Sequence, residues 1–243
     1  MARHGRVGPY LRFAASIVVP FLRIFTKCRF TGLERIPRTG GAILVANHVS
    51  HFDPLPFAYV AWKAGRPPRF LAKSTLFKVP GLGLLLRGCD QIPVHRGTAD
   101  ASKALGAAVD ALQRGELVLV YPEGTLTRDP EMWPMVAKTG VARLALSSGV
   151  PVIPAAHWGA QDVLAPYAKR FRILPRKTIR AIVGEPVDLS RWKGAEQTAQ
   201  VLREVTDAVM HDVTELLSQL RGEPAPERPF QRPVQLDERR RTA

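Results

Sequence analysis

The first residues whose types and spacing could do chemistry lie at positions 46 to 54, which read A-N-H-V-S-H-F-D-P. His48 and Asp53 stand where an apolar run ends and a proline follows. A neutral imidazole, with an unperturbed pKa of ~6.5, can take a proton from a hydroxyl near neutral pH. A carboxylate on its other ring nitrogen would fix the tautomer and stabilise the imidazolium. The same residues also fit a metal site, or a surface turn in which Asp53 caps a helix.

The metal alternative requires His48, His51 and Asp53 to act together, since nitrogen and oxygen ligands of this kind suit zinc. The sequence offers neither a fourth ligand nor a second ligand cluster beside them. The two cysteines, Cys28 and Cys89, stand far apart and form no C-x-x-C pair. We therefore expect no bound metal. Asn47 and Ser50 are instead expected to hold the loop through local side-chain bonds to the backbone.

Two further polar clusters also follow apolar runs. They are V-H-R-G at 94–97 and Y-P-E-G-T at 121–125, the second directly after L-V-L-V. In an open α/β sheet, ligands bind beyond the carboxyl ends of the strands. The three clusters are therefore predicted to meet at one edge of a sheet and to form one site there.

The elements that must position these clusters follow from the alternation of apolar runs with segments of helical period. The predicted strands cover 41–47, 69–73, 91–97, 116–122, 150–156 and 178–184. The predicted helices cover 54–64, 76–88, 99–114, 141–148 and 195–220. This alternation predicts an α/β fold with a mostly parallel sheet covered by helices.

The two ends of the chain differ in composition from its middle. Residues 1–30 carry six Lys or Arg and no Asp or Glu, and their apolar run at 13–25 contains Pro20 and Arg23. This run is shorter than the ~18 residues that a spanning helix needs, so we expect a basic amphipathic helix in the membrane interface. The alternative is a helix packed on the core. Residues 31–221 are predicted to form the main domain, and 222–243 a disordered tail rich in Pro and Arg.

Several common catalytic motifs do not occur in the chain. There is no G-x-S-x-G, no H-E-x-x-H and no G-x-x-x-x-G-K followed by Ser or Thr. The sequence therefore lacks the main motifs that would indicate a covalent hydrolase, a metalloprotease or a P-loop nucleotide-binding protein.

Four short blocks occur in a definite order along the chain. They are N-H-V-S-H-F-D at 47–53, Arg96 at the end of a strand and loop, P-E-G-T at 122–125, and V-I-P at 152–154. Their order and approximate spacing resemble the glycerolipid acyltransferases, and in particular the bacterial 1-acylglycerol-3-phosphate acyltransferase branch. The resemblance extends from about residue 46 to residue 156, near half of the chain, and implies that family's αβ fold.

The resemblance implies an O-acyltransferase that moves a fatty acyl group from acyl-CoA or acyl carrier protein to 1-acylglycerol-3-phosphate, forming phosphatidate. His48 would be the general base of this reaction and Asp53 its partner. Because a thiolate is a good leaving group, no nucleophile from the enzyme is required, and no cofactor beyond the acyl donor is expected. General-base catalysis of this kind contributes ~10²–10⁴-fold to the rate.

The resemblance also implies an acceptor site formed by residues from the later blocks. A guanidinium presents planar, paired donors to a phosphate, so Arg96 is the expected phosphate ligand. The P-E-G-T turn is expected to shape the site, with Glu123 accepting hydrogen bonds and Gly124 allowing close backbone approach. The expected acceptor-site residues are Arg96, Glu123, Gly124, Thr125 and Lys73, with Lys138 as a further cation.

The chain departs from the family pattern at two places in this acceptor site. Members commonly carry arginine after P-E-G-T, where this chain has Leu126, with Arg128 two positions further on. The second block usually places an acidic residue before its arginine, where this chain has His95. The identity of the acceptor is therefore open to another lysolipid or a glycolipid.

The charge of the chain predicts an anionic partner. Thirty-five Lys and Arg against 21 Asp and Glu give a net charge of +14. For an acyltransferase, the expected partners are the acyl donor, a lysophospholipid and an anionic membrane surface at the cytoplasmic face. The apolar segment 76–87 would line a groove for the substrate, dip into the lipid or form part of the core. The non-enzyme alternative is a basic module that binds acidic lipid or nucleic acid. Dispersed cations and 7% aromatic residues give no support for nucleic acid.

Overall fold

A computed structural model of the chain describes residues 7–94 and 101–231. Within them, seven strands form one sheet. The strands are β1 (Thr26–Thr31), β2 (Ala42–Ala46), β3 (Pro68–Lys73), β4 (Ile92–Val94), β5 (Leu117–Val120), β6 (Val152–Trp158) and β7 (Lys177–Val183). Their order across the sheet is β1-β7-β6-β2-β5-β3-β4. All neighbours are parallel except β6 and β7, which are antiparallel.

Helices cover both faces of this sheet. They are α1 (Pro9–Phe25), α2 (Pro54–Lys63), α3 (Leu82–Gly88), α4 (Ala101–Gln113), α5 (Gly140–Ser148), α6 (Ala160–Val163) and α7 (Ala199–Arg221). On one face, α4, α5 and α7 pack against side chains such as Ile43 and Val118. On the other face, α2 packs against Leu44 and Leu119. The predicted mostly parallel, helix-covered α/β fold is confirmed.

The central strands consist of apolar residues because they are covered on both sides. Every residue of β2 is 0% exposed, and parallel strands buried on both faces read as continuous apolar runs. The carboxyl ends of β2, β5, β3 and β4 all lie at one edge of the sheet, because these four strands are parallel neighbours. The loops that follow β2 and β5 therefore both start at this edge, as the sequence predicts, whereas the cluster predicted after β4 lies outside the described residues.

The N-terminal helix ends before the boundary predicted at residue 30. The amphipathic helix α1 ends at Phe25, and residues 26–31 form the edge strand β1, which pairs with β7. Lys27 and Arg29 are exposed on this edge strand, whereas Cys28 and Phe30 are partly buried. The sequence prediction took the exposed cations of an edge strand for the basic flank of a helix.

The first part of the predicted disordered tail contacts the main domain. The amide of Val136 donates to the carbonyl of Phe230 at 3.0 Å, and Met135 and Phe230 form an isolated parallel bridge. The first part of the stretch 222–243 therefore lies against the domain as far as residue 231. Residues 232–243 lie outside the described part of the chain.

The exposed face of α1 continues onto the segment around α3. Tyr10, Phe13, Ile17 and Ile24 on α1 are exposed, and so are Leu76, Val79, Leu82 and Leu84. The two helices touch closely, since a Cβ at Gly88 would lie 2.3 Å from the ring of Tyr10. The predicted helix over 76–88 is interrupted at Pro80 and Gly81, between a 3-10 helix (Ser74–Lys78) and α3. Most of this segment is therefore not core, although Phe77 is buried. Among the described residues, none of the helices has the length and apolar character needed to cross a membrane.

Candidate functional site

The loop after β2 brings the His48 ring and the Asp53 carboxylate together. His48 Nδ1 lies 3.0 Å from Asp53 Oδ2, and the Asp53 side chain is 0% exposed. The same oxygen accepts the backbone amides of Val49 and Ser50, each at 2.7 Å. Asp53 makes no side-chain cap bond to α2, because its carboxylate points back into the loop that precedes it. The geometry is that of an imidazole with a fixed tautomer, which leaves Nε2 to receive a proton.

Side chains of this loop bond to the backbone of distant segments and so hold the loop in place. Asn47 Nδ2 donates to the carbonyl of His157 at 3.1 Å, and the amide of His157 donates to Asn47 Oδ1 at 3.0 Å. Ser50 Oγ donates to the carbonyl of Leu164 at 2.6 Å and accepts the amide of Phe52 at 3.0 Å. The prediction of local bonds is wrong for Asn47, which ties the end of β2 to the end of β6. For Ser50 it holds for the bond with Phe52 and not for the bond with Leu164.

The ring of His48 stacks on an aromatic side chain and is mostly buried. Tyr121, which follows β5, stacks on it with ring centroids 4.1 Å apart and planes 12° apart. Burial raises the pKa of Tyr121 well above its usual value, and the nearby Asp53 charge adds to this rise. Tyr121 is therefore a neutral, flat support for the imidazole.

Glu123 holds the two loops of the site together. It is 2% exposed. Its Oε1 accepts the amide of His48 at 3.2 Å, and its Oε2 accepts the amide of Met135 at 3.1 Å. Because backbone amides contact both oxygens, Glu123 is better interpreted as a positioning residue than as the acceptor ligand expected from the sequence. Its burial raises the pKa of the carboxyl to about 8.

This raised pKa predicts a pH dependence of stability. Below pH 4.5 the group is protonated in both states, and between 4.5 and about 8 only the folded state keeps the proton. The folded chain then binds more protons, so Glu123 lowers the free energy of unfolding as pH rises, by at most about 1.4 kcal/mol per pH unit. The free energy of unfolding in urea should therefore fall more steeply with rising pH for the wild type than for Glu123→Gln. The same pH dependence of the free energy of unfolding in both proteins would contradict this prediction.

The turn after Glu123 has the tight geometry expected of P-E-G-T. Gly124 has φ +70°, where glycine is favoured, and a Cβ there would lie 3.4 Å from Lys138 Cδ. The amide of Thr127 donates to the carbonyl of His48 at 2.8 Å, which ties the turn to the His48 loop. Thr125 is half-buried in this turn, and Lys138 is exposed. The exposed cation Lys138 therefore lies against this turn.

The two departures from the family pattern have different structural outcomes. Leu126 is buried at 1% exposure, and its carbonyl accepts the hydroxyl of Tyr167 at 3.3 Å. The guanidinium of Arg128 lies 5.4 Å from the centroid of the Tyr167 ring. His95 lies outside the described residues.

Of the remaining expected cations, Lys73 lies toward β4. Lys73 is exposed at the end of β3, where it pairs in register with Val94, the last residue of β4. β5 separates β3 from β2 and its His48 loop. Arg96 lies outside the described residues, two positions after Val94. Its role as a phosphate ligand therefore stays a prediction.

The structure adds one residue that the sequence interpretation did not include. His157 is 2% exposed, and its Nδ1 lies 3.7 Å from Asp53 Oδ1, the oxygen that His48 does not use. Burial lowers the pKa of His157, so it is neutral near pH 7. The available signal was a histidine at the carboxyl end of a predicted strand. Within the described ranges, no group of three or more His, Cys, Asp or Glu side chains could hold a metal ion.

The chain is similar to known proteins over much of its length. A family model described as Acyltransferase matches residues 27–158, more than half of the chain. A 1-acyl-sn-glycerol-3-phosphate acyltransferase of Borreliella burgdorferi is 29% identical over 60% of this chain and 56% of its own length. A chloroplastic 1-acyl-sn-glycerol-3-phosphate acyltransferase of Arabidopsis thaliana is 26% identical over 74% of this chain and 48% of its own length.

A solved structure shares the fold. The crystal structure of the 1-acyl-sn-glycerophosphate acyltransferase PlsC from Thermotoga maritima aligns with a TM-score of 0.66 at 24% identity, covering 88% of this chain and 83% of that one. The chain spans about half the length of the curated relatives it matches.

Proposed function

The chain belongs to the acyltransferase family, and we propose that it moves a fatty acyl group from a thioester to the hydroxyl of a lysophospholipid. The preferred acceptor in this proposal is 1-acylglycerol-3-phosphate, and the product is phosphatidate. The observation that carries the proposal is the 3.0 Å contact between His48 Nδ1 and Asp53 Oδ2. A fully buried carboxylate oriented on one ring nitrogen is the arrangement that general-base catalysis requires.

The proposed reaction balances with two substrates. The acceptor oxygen attacks the thioester carbonyl carbon while His48 Nε2 takes the hydroxyl proton. The carbon–sulfur bond then breaks, and the imidazolium returns the proton to the departing thiolate. One ester forms and one thioester is lost, so neither a covalent enzyme intermediate nor a further cofactor is required. Acyl-CoA and acyl carrier protein both supply such a thioester.

In this proposal the acceptor phosphate is bound by cations. Lys138 lies against Gly124, and Lys73 is exposed at the end of β3, beside the strand that leads to Arg96. A phosphate held by a guanidinium and one or two ammonium groups would present the neighbouring glycerol hydroxyl to His48.

The proposed location is the cytoplasmic face of the cell membrane, because both acceptor and product are membrane lipids. The exposed apolar side chains of α1 and of the segment around α3 form the contact in this proposal. The net charge of +14 favours an anionic leaflet.

An acceptor panel tests the proposed substrate. Acyl-CoA-dependent thiol release should be fastest with 1-acylglycerol-3-phosphate, and Arg96→Ala should lower kcat/KM for this acceptor by about 10- to 100-fold, the value of a charged hydrogen-bonded contact. Acceptors without a phosphate should be unaffected by the change. Arg143→Ala, at an exposed arginine on α5, is the matched control.

The same panel distinguishes the second acceptor class. The replacement of the family arginine by buried Leu126 favours an acceptor with less negative charge. A fastest rate with a lyso-ornithine lipid or a glycolipid, insensitive to Arg96→Ala, would overturn the phosphate acceptor while leaving acyl transfer in place.

A further inference from the structure

The connection between α6 and β7 carries alternating apolar and basic side chains on an open surface. In residues 165–176, which we call the connecting segment, Tyr167, Phe171 and Leu174 are 49%, 54% and 71% exposed. No acidic residue occurs between Asp162 and Glu185. Six cations occur in that interval: Lys169, Arg170, Arg172, Arg176, Lys177 and Arg180.

These cations are not neutralised by acidic partners. Among the residues that the structure describes, none of the six takes part in a salt bridge. An open pocket of about 490 Å³ beside the connecting segment is lined by Arg29, Arg176, Lys177 and Arg180, and Asp162 is its one acidic lining residue. The surface therefore has a strong positive potential that the fold itself does not balance.

The connecting segment is continuous with the apolar face of α1. The guanidinium of Arg176 donates to the carbonyls of Arg23 and Thr26 at 2.6 and 2.7 Å, at the end of that helix. Ile24, beside these carbonyls, is 59% exposed. The apolar surface of α1 and the exposed side chains of the connecting segment are thereby joined at one place.

The connecting segment also touches the loop of the reactive histidine. The ring of Tyr167 meets the ring of His51 edge to face at 6.2 Å between centroids, and the ring of Phe171 meets Phe52 at the same distance. Both partners lie between His48 and Asp53 in the chain. A surface bound by the connecting segment would therefore lie next to the reactive loop.

We propose that the connecting segment is a second membrane-contact surface, which inserts Phe171 and Leu174 among lipid chains and places its cations at the phosphates of an anionic bilayer. Apolar side chains interleaved with Lys and Arg are the chemistry that binds such an interface. The proposal rests on the proposed function in one respect, that the acceptor is a membrane lipid. Contact here, together with α1, orients the reactive loop toward the bilayer.

Vesicle sedimentation of the full chain tests this contact without any catalytic step. With mixed phosphatidylglycerol and phosphatidylcholine vesicles, Lys169→Glu should weaken binding by about tenfold or more, since each cation near an anionic surface contributes about fivefold. Leu174→Ser should weaken binding to the same vesicles and to phosphatidylcholine alone. Lys193→Glu, at an exposed lysine remote from the segment in sequence, is the matched control and should change binding little.

Each outcome decides the proposal. Unchanged binding by Lys169→Glu and Leu174→Ser, or an equal loss in Lys193→Glu, would overturn it. Unchanged vesicle binding with a raised KM for acyl carrier protein in Lys169→Glu would assign the surface to the carrier protein instead. His48→Ala should bind vesicles like the wild type, so failure of the proposed chemistry and failure of this membrane contact are separate results.

Discussion

His48→Ala should lower the rate of acceptor-dependent thiol release by ~10²–10⁴-fold, the usual contribution of a general base. The ring nitrogen Nε2 is the group that receives the acceptor proton, and alanine leaves nothing in its place. The His48 side chain is 15% exposed, so its loss leaves only a small cavity beside Tyr121 and the fold should persist. Initial rates with a thiol reagent, beside a thermal unfolding curve for each protein, measure both effects.

His51→Ala is the matched control for this change. His51 lies in the same loop and is exposed, and its ring contacts only the edge of Tyr167 among the aromatic rings of the described chain. It should keep nearly the wild-type rate. A rate for His48→Ala within about tenfold of wild type, smaller than any general-base contribution, would remove His48 from the mechanism.

Asp53→Asn should lower kcat by up to about 10⁴-fold, because a neutral amide no longer stabilises the imidazolium that forms when His48 takes the proton. The carboxylate oxygen Oδ2 accepts from His48 Nδ1 and from two backbone amides. Because one oxygen serves the ring and both amides, an asparagine that keeps its oxygen there offers His48 only a neutral acceptor. An asparagine that places its nitrogen there donates to the ring and loses the two amide contacts. KM for the acyl donor should stay near its wild-type value, because Asp53 does not contact that substrate in the proposed reaction.

Asp207→Asn is the control for this prediction, since Asp207 is an exposed aspartate on α7. Steady-state kinetics on folded protein separate the two possible roles of Asp53. A change confined to KM, or a loss that follows the fraction of unfolded protein, would make Asp53 a purely structural residue.

The pairing of His48 with Asp53 could be predicted from sequence because both belong to one loop. The strands that end at the site were also predictable, since β2 and β5 are continuous apolar runs between turns. β1 was not, because an edge strand that exposes Lys27 and Arg29 resembles the flank of the preceding amphipathic helix. The local sequence pattern is enough to predict the His48–Asp53 loop and the strands β2 and β5. It does not reveal β1, because an edge strand exposes charged side chains.

The hydrogen bonds that hold the site together could not be predicted from the sequence. Asn47 and His157 are 110 positions apart and bond only because β6 lies beside β2. Glu123 was expected to face the acceptor, but the meeting of two loops gives its oxygens to the amides of His48 and Met135. Such contacts depend on tertiary placement, which neither residue type nor spacing specifies.

The most direct test of the account is the rate of the double variant His48→Ala/Asp53→Asn beside the two single variants. If Asp53 acts only through the imidazole, the double variant should be no slower than His48→Ala alone, since residues that work as a unit are strongly non-additive. Equal rates for these two proteins are the predicted result. A double variant slower by the product of both single losses would show that the two side chains act independently, and would contradict the proposed general-base pair.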